Sequence, residues 1–235
     1  MKKPLSATTL KLIACITMLA DHIGYALVPF GTPLYGILRL IGRIAFPIYC
    51  FLLAEGVHHT KDPKKYLLRL LVLAVITEPI YDLMCYKTIW YIHGQSVMIT
   101  LLLGATMGLI MQKLPKYWMK PLVVIPFFFL AKLTHCDYHG NGILMMALFI
   151  LTRNLPKRAL WQIPLFGLLC VYMGGPAVKL VWRPFPMQWY AVAALIPILL
   201  YNGQKGSRNK VLNQAMNLFY PVHMAIIAII DAFLL

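Results

Sequence analysis

Charge is scarce in this 235-residue chain: Asp, Glu, Lys and Arg make up 12% of it, against 60% hydrophobic residues. An ordinary soluble domain is about a quarter charged, so a soluble shell is excluded and lipid must supply part of the solvent. Acids are scarcer still, seven against 22 Lys and Arg, which leaves a net charge of +15. That excess does not mark a nucleic-acid protein, because no basic face with interleaved aromatics occurs. The five cysteines, Cys15, Cys50, Cys85, Cys136 and Cys170, are scattered and form no CxxC. They read as small apolar packers; Cys85 and Cys136 both fall near the outer surface but are expected to stay unpaired. There is no internal repeat and no low-complexity segment. No small-x-small cleavage site follows Lys2 and Lys3, so the first apolar run is expected to be a retained span.

What is present is a series of apolar runs, near residues 9–30, 34–55, 66–86, 95–112, 119–134, 140–152, 159–174, 187–201 and 213–235. A span needs about 20 mostly apolar residues to cross about 30 Å of hydrocarbon. The expected fold is therefore all-α: a polytopic integral membrane helix bundle of about nine transmembrane helices, with residues 1–235 forming a single domain. The runs near 126 and 146 are short and could form a re-entrant pair. Basic residues alternate along the loops. Segments assigned inside carry Lys2, Lys3, Lys11, Lys61, Lys64, Lys65, Arg69, Lys113, Lys116, Lys120, Arg153, Lys157, Arg158, Lys205, Arg208 and Lys210, whereas the alternate segments carry Lys87, Lys132, Lys179 and Arg183. By the positive-inside rule the N-terminus is cytoplasmic and the C-terminus outward, in the cell membrane. Asp62-Pro63, Leu114-Pro115 and Asn202-Gly203 are the expected helix breaks.

Ionisable residues within spans are costly and mark pairing, water-filled cavities or chemistry. Asp21, Glu55, Glu78, Asp82 and Asp231 fall within or at the ends of the runs, and Arg39 and Arg43 lie inside the second. Helix rise puts Asp21, His22, Arg39, Arg43, Glu78 and Asp82 in the same half of the bilayer. Arg39 and Arg43 share a helix face, as do Glu78 and Asp82. One reading is a pair of buried Arg–carboxylate bridges that fix helix packing. That reading leaves His22 unexplained, since a His beside a carboxylate suits a general base. Adjacent helical residues point about 100° apart, so the partner of His22 could be Asp21, Glu78 or Asp82. His223, after Tyr220-Pro221-Val222, is either a second polar member of the site or a bonded interior histidine, and Pro221 is positioned to kink its helix. His135, Cys136, Asp137 and His139 are of metal-ligand type, but their spacing matches no standard site; a polar outer lid is expected there and no metal. Glu55, near Lys61, Lys64, Lys65 and Arg69, is positioned to help hold an anionic cofactor's phosphates from the cytoplasm, although orientation charge is the simpler reading of that cluster.

The residues resemble the TraX family over nearly the whole chain. The resemblance is carried by Leu10-Lys11 through Met18-Leu19-Ala20-Asp21-His22-Ile23-Gly24, by Leu38-Arg39 with Ile41-Gly42-Arg43-Ile44-Ala45-Phe46-Pro47, and by Glu55-Gly56 with His59-Thr60 and Lys65 to Leu70. It continues through Glu78-Pro79 with Asp82, Thr100 to Gly104, Asp137-Tyr138, Leu200 to Gly203 and Phe219-Tyr220-Pro221-Val222-His223. One departure stands out: Asp137-Tyr138 is followed by His139-Gly140, where the pattern has Gly directly after Tyr.

The resemblance implies a membrane acetyl- or acyltransferase. It implies acetyl-CoA or another acyl-CoA as cytoplasmic donor, and an amine or hydroxyl acceptor on a membrane-associated or extracytoplasmic molecule. That acceptor is a protein N-terminus, such as a pilin in conjugation, a glycan or a lipid. Such a transfer needs a base and a partner for the developing oxyanion. His22 with Asp21 suits the base, Arg39 and Arg43 the oxyanion, and Glu78 and Asp82 the orientation of His22. Asp137, Tyr138, Tyr220 and His223 are candidate acceptor contacts. The competing readings are a small transporter or channel using the same acids, and an assembly factor whose polar residues only pack helices. The latter predicts that reversing charges in an Arg39/Glu78 pair rescues the single mutants.

Overall fold

The computed structural model describes residues 3–175, 177–179 and 184–234, with side chains at 3–175 and 186–233. Of the charges used to assign sidedness, Lys2, Arg183 and the Lys179 side chain lie outside the described residues. The described chain is almost wholly helical. Ten helices follow in order: α1 Ala7–Leu27, α2 Pro33–Gly42, α3 Ala45–His59, α4 Pro63–Tyr86, α5 Val97–Lys113, α6 Lys120–Leu133, α7 His139–Thr152, α8 Arg158–Met173, α9 Leu195–Leu199 and α10 Lys210–Leu234. A short 3-10 turn, Tyr117–Met119, precedes α6, and a longer 3-10 segment, Met187–Ala194, runs into α9. Two three-residue strands, Ala177–Lys179 and Pro184–Pro186, pair antiparallel.

Each apolar run of the sequence meets helical structure, but two runs are broken. The second divides into α2 and α3 at Arg43-Ile44, where Arg43 N–H bonds Leu40 O and Ile44 N–H bonds Ile41 O in tightened i−3 turns. Pro47 has no N–H to return to the Arg43 carbonyl, so the ladder restarts. The run 187–201 is mostly 3-10, with Pro197 interrupting its last turn in the same way. Helix starts follow local chemistry: Asp62 caps α4 by accepting Lys65 N–H at 3.0 Å, with Pro63 at the first position.

Three segments are long and apolar enough to cross a membrane, Ala7–Leu27, Pro33–His59 and Lys210–Phe233. Helix α4 has the length, but Arg69, Glu78 and Asp82 interrupt its apolar stretch. Its Leu68, Leu71, Val72, Val75 and Ile76 are exposed, which in water would be an unmanaged apolar patch. Helices α6 and α7, 14 residues each, reach only about 21 Å.

The chain divides into two compact units, Met1–Leu52 with Ile163–Leu235, and Leu53–Gln162. In the first, α1 packs on α2 and on α10, and residues 5–8 bond to the segment 200–207. Leu40 and Met187 form a small core with Tyr35 and Tyr190 against it. In the second, α5 packs against α4, α6 and α7, and α6 packs on α7. Gly104 lies against Met146 and Gly108 against Ile150 and Val57, so the α5 backbone approaches its neighbours closely.

Candidate functional site

Asp21 is buried on α1 and faces α2. Its Oδ2 accepts Arg39 Nη1 at 2.6 Å and Arg43 Nη2 at 3.0 Å, and its Oδ1 accepts Arg43 Nη2 at 2.8 Å. The i, i+4 spacing brings both guanidinium groups to one carboxylate, and two glycines let the helices close. A Cβ on Gly42 would overlap the Asp21 carboxylate, and one on Gly24 would lie 2.8 Å from Leu38 Cβ. The glycines of the Asp21-His22-Ile23-Gly24 and Ile41-Gly42-Arg43 blocks therefore sit where α1 meets α2. Arg39 also lies 5.3 Å from the centre of the Tyr25 ring, and its Nε is buried without an acceptor among the described residues.

Of the buried acids, Asp21 is the one that carries the bridges to both Arg39 and Arg43. Glu78 belongs to the second unit, where Oε1 accepts Ser96 N–H at 2.8 Å and Oε2 accepts the Ser96 hydroxyl at 2.7 Å. Asp82 Oδ2 accepts Tyr91 N–H at 2.8 Å. Both carboxylates thus hold the segment joining α4 to α5. That segment has no hydrophobic period, so its bonds could not be read from spacing.

His22 meets His223. His22 Nδ1 and His223 Nε2 are 2.7 Å apart, with the rings only 8° from parallel. His223 Nδ1 lies 2.5 Å from the Phe219 carbonyl oxygen. A carbonyl only accepts, so Nδ1 of His223 carries the proton, and neutral His223 offers the lone pair on Nε2. His22 Nδ1 is then the donor, and the lone pair of neutral His22 lies on Nε2. Phe219 stacks on His223 with centroids 4.6 Å apart, and the buried Tyr220 ring lies 5.9 Å from both histidines. Asp21, Arg39 and Arg43 are close enough to His22 to act on it electrostatically. Four expected site residues, Asp21, His22, Arg39 and Arg43, are thereby gathered with Tyr220 and His223 in one unit. The His22 partner is a second histidine 201 residues away, a separation that leaves no sequence signal.

Asp137 and Tyr138 lie in the second unit, in the connection from α6 to α7. Asp137 N–H bonds Gln95 O at 2.9 Å, and the Asp137 carbonyl accepts the Thr100 hydroxyl at 2.5 Å. His135, Tyr138 and His139 all have left-handed φ, of 50°, 61° and 45°. His139 occupies the place of the glycine that the sequence pattern has after Tyr, and its positive φ shows what a glycine would supply there. Among the described residues, no three His, Cys, Asp or Glu side chains gather as a metal site. Cys85 and Cys136 are not joined by a disulfide.

Lys64, Lys65 and Arg69 are exposed on α4. Buried Glu55 instead receives Arg153, Nε to Oε1 at 3.0 Å and Nη2 to Oε2 at 3.3 Å, with Arg158 Nη1 at 3.7 Å. These arginines were legible in the sequence only as orientation charges.

The model of the TraX protein family matches residues 6–231. A Dichelobacter nodosus protein described as "Probable fimbrial assembly protein FimC, serogroup H1" is 29% identical over 97% of both chains. An uncharacterized protein of Rickettsia prowazekii is 40% identical over 33% of this chain and 27% of its own. No solved structure matches. With its apolar helices and with the Asp-His and Arg-x-x-x-Arg blocks inside a match that runs nearly end to end, the chain belongs to the TraX family, and its character is that of a membrane protein.

Proposed function

We propose that this protein is a multi-pass acyltransferase of the cell membrane, with a cytoplasmic N-terminus, an outward C-terminus and about nine spans. It moves an acyl group from acyl-CoA to an amine or hydroxyl of a membrane-associated or extracytoplasmic acceptor. The observation that carries the reading is the His22–His223 pair, which leaves His22 Nε2 as the proton acceptor beside two arginines held by Asp21.

In the reaction, the acceptor nitrogen or oxygen attacks the thioester carbonyl while His22 Nε2 takes its proton. The developing oxyanion faces a guanidinium whose Nε, on Arg39, has no acceptor among the described residues. The C–S bond then breaks as the C–N or C–O bond completes, and His22 returns the proton to the CoA thiolate. Asp21 keeps the guanidinium groups in place, which removes their reorganisation from the barrier.

The fimbrial assembly description of the Dichelobacter relative supports a pilin-like polypeptide as the acceptor class. A second reading, an assembly factor without catalysis, is favoured by the same description and by the Asp21 bridges, which pack α1 against α2. The test is acetyl-CoA turnover by purified protein, wild type against His22→Ala, with thermal melting in parallel. Turnover lost from a folded variant supports the enzyme. Wild-type turnover in His22→Ala would remove the base, and no turnover in any form moves the protein to the assembly reading.

A further inference from the structure

The second unit contains a cleft that the proposed chemistry does not use. It opens between the end of α3, the end of α5, the 3-10 turn before α6 and the end of α7, and takes in about 430 Å³ of empty space, open solvent included. Its apolar side includes Val57, Met111 and Ile150; its polar side is formed by His58, Gln112, Tyr117, Lys120, Arg153 and Asn154. No carboxylate lines it.

The polar side is built before any ligand arrives. Arg153 is fixed from behind by the Glu55 bridge and at its flank by Asn154 Oδ1, 3.2 Å from Nη1. Tyr117 is fixed by its hydroxyl on the Leu151 carbonyl at 2.6 Å, and Gln112 Nε2 donates to Val57 O at 3.0 Å. Lys120 stands over the Tyr117 ring, 5.4 Å from its centre. Glu55 pairs with Arg153 from behind, so the ammonium of Lys120 is the charge that the cleft itself presents. A cation beside an apolar wall, with no carboxylate in the lining, suits an amphiphile bearing phosphate.

We propose that this cleft binds the phosphate of a phosphate-bearing amphiphile, with Lys120 as its main contact and Arg153 as its fixed rear wall. Two sources share that chemistry, the nucleotide phosphates of CoA and an anionic phospholipid headgroup. The inference rests on the acyl-transfer reading only for its choice of CoA as first probe.

The experiment measures binding of CoA, and of pantetheine lacking phosphate, to detergent-purified wild type, Lys120→Glu, Lys120→Gln and His22→Ala. Thermal melting checks each fold. A second arm compares stabilisation by phosphatidylglycerol and phosphatidylcholine vesicles. Loss of one charge-assisted phosphate contact weakens binding roughly tenfold or more, so Lys120→Glu is expected to lose CoA affinity by that factor. Lys120→Gln is expected to lose less and His22→Ala to keep wild-type affinity. Pantetheine is expected not to bind. If CoA fails and phosphatidylglycerol alone stabilises in a Lys120-dependent way, the occupant is lipid and the proposal stands. CoA binding with no acyl transfer leaves the cleft standing and removes the enzyme. Binding of either ligand that is indifferent to Lys120, or binding of neither, overturns the cleft.

Discussion

Gly42 lies against the Asp21 carboxylate so closely that any Cβ there would occupy the same space. Gly42→Ala must therefore push α1 from α2 or turn Asp21 away from both arginines. Overpacking of this kind costs about 1–3 kcal/mol, so the variant is expected to melt several degrees lower and to lose turnover. Gly167→Ala on α8 is the control, because a Cβ there meets nothing within 4 Å. It is expected to melt at or slightly above wild type, since Ala is the better helix former.

Asp21→Asn keeps the shape and removes the charge. Arg39 and Arg43, each about one-sixth exposed at the side chain, then lose their shared counter-ion. Breaking a buried pair from one side costs about 3 kcal/mol or more. The expected result is a lower denaturation midpoint than that of Lys64→Gln on the exposed start of α4, measured in the same detergent.

His223→Phe tests the histidine pair. The ring is kept for stacking on Phe219, but the acceptor for His22 Nδ1 is lost. Acyl transfer is expected to fall about tenfold to a hundredfold with little change in apparent KM for the donor. In nitrogen NMR of the wild type, the neutral His22 signal is expected to show the proton on Nδ1. A proton on Nε2 would contradict the tautomer chain that starts at the Phe219 carbonyl.

His139→Gly addresses the strained connection before α7. Its φ of 45° suits glycine and disfavours a side chain. Relief of about 1 kcal/mol is expected as a rise in melting temperature, with the fold unchanged.

Cys136 is fully buried, and burial, ahead of all else, raises its thiol above the ordinary cysteine value. It is therefore protonated near neutral pH, and the thiolate fraction grows only as pH rises toward the raised value. Maleimide labelling at Cys136 is expected to be slow at pH 7 and to need unfolding. Non-reducing electrophoresis should show no Cys85–Cys136 bridge.

The nine apolar runs reveal the helices because lipid and core both select for apolar length, which survives in composition. Asp21 with Arg39 and Arg43 was legible for a related reason: helix rise converts residue count into depth. The interruption at Arg43-Ile44 was missed although Pro47 is its visible cause, since hydropathy averages across it. Glu78 and Asp82 were read as orienting His22, with pairing to arginine as the alternative; the bonds they make run to the backbone of an aperiodic segment, at Ser96 and Tyr91, which no spacing reveals. The His22–His223 pair and the Glu55–Arg153 bridge depend on tertiary closure over long separations, which no local pattern carries.

The first unit is assembled from the two ends of the chain, with the whole second unit inserted between them. During synthesis α1 and α2 emerge early and can set the Asp21 bridges, while the second unit gathers its own contacts. His22 then waits for α10, which is made only after the whole inserted unit. A product truncated before that last helix keeps every residue of the inserted unit and has no histidine pair. The imidazole contact therefore forms only after α10 has been made, and chains that stop short of α10 are expected to be inert.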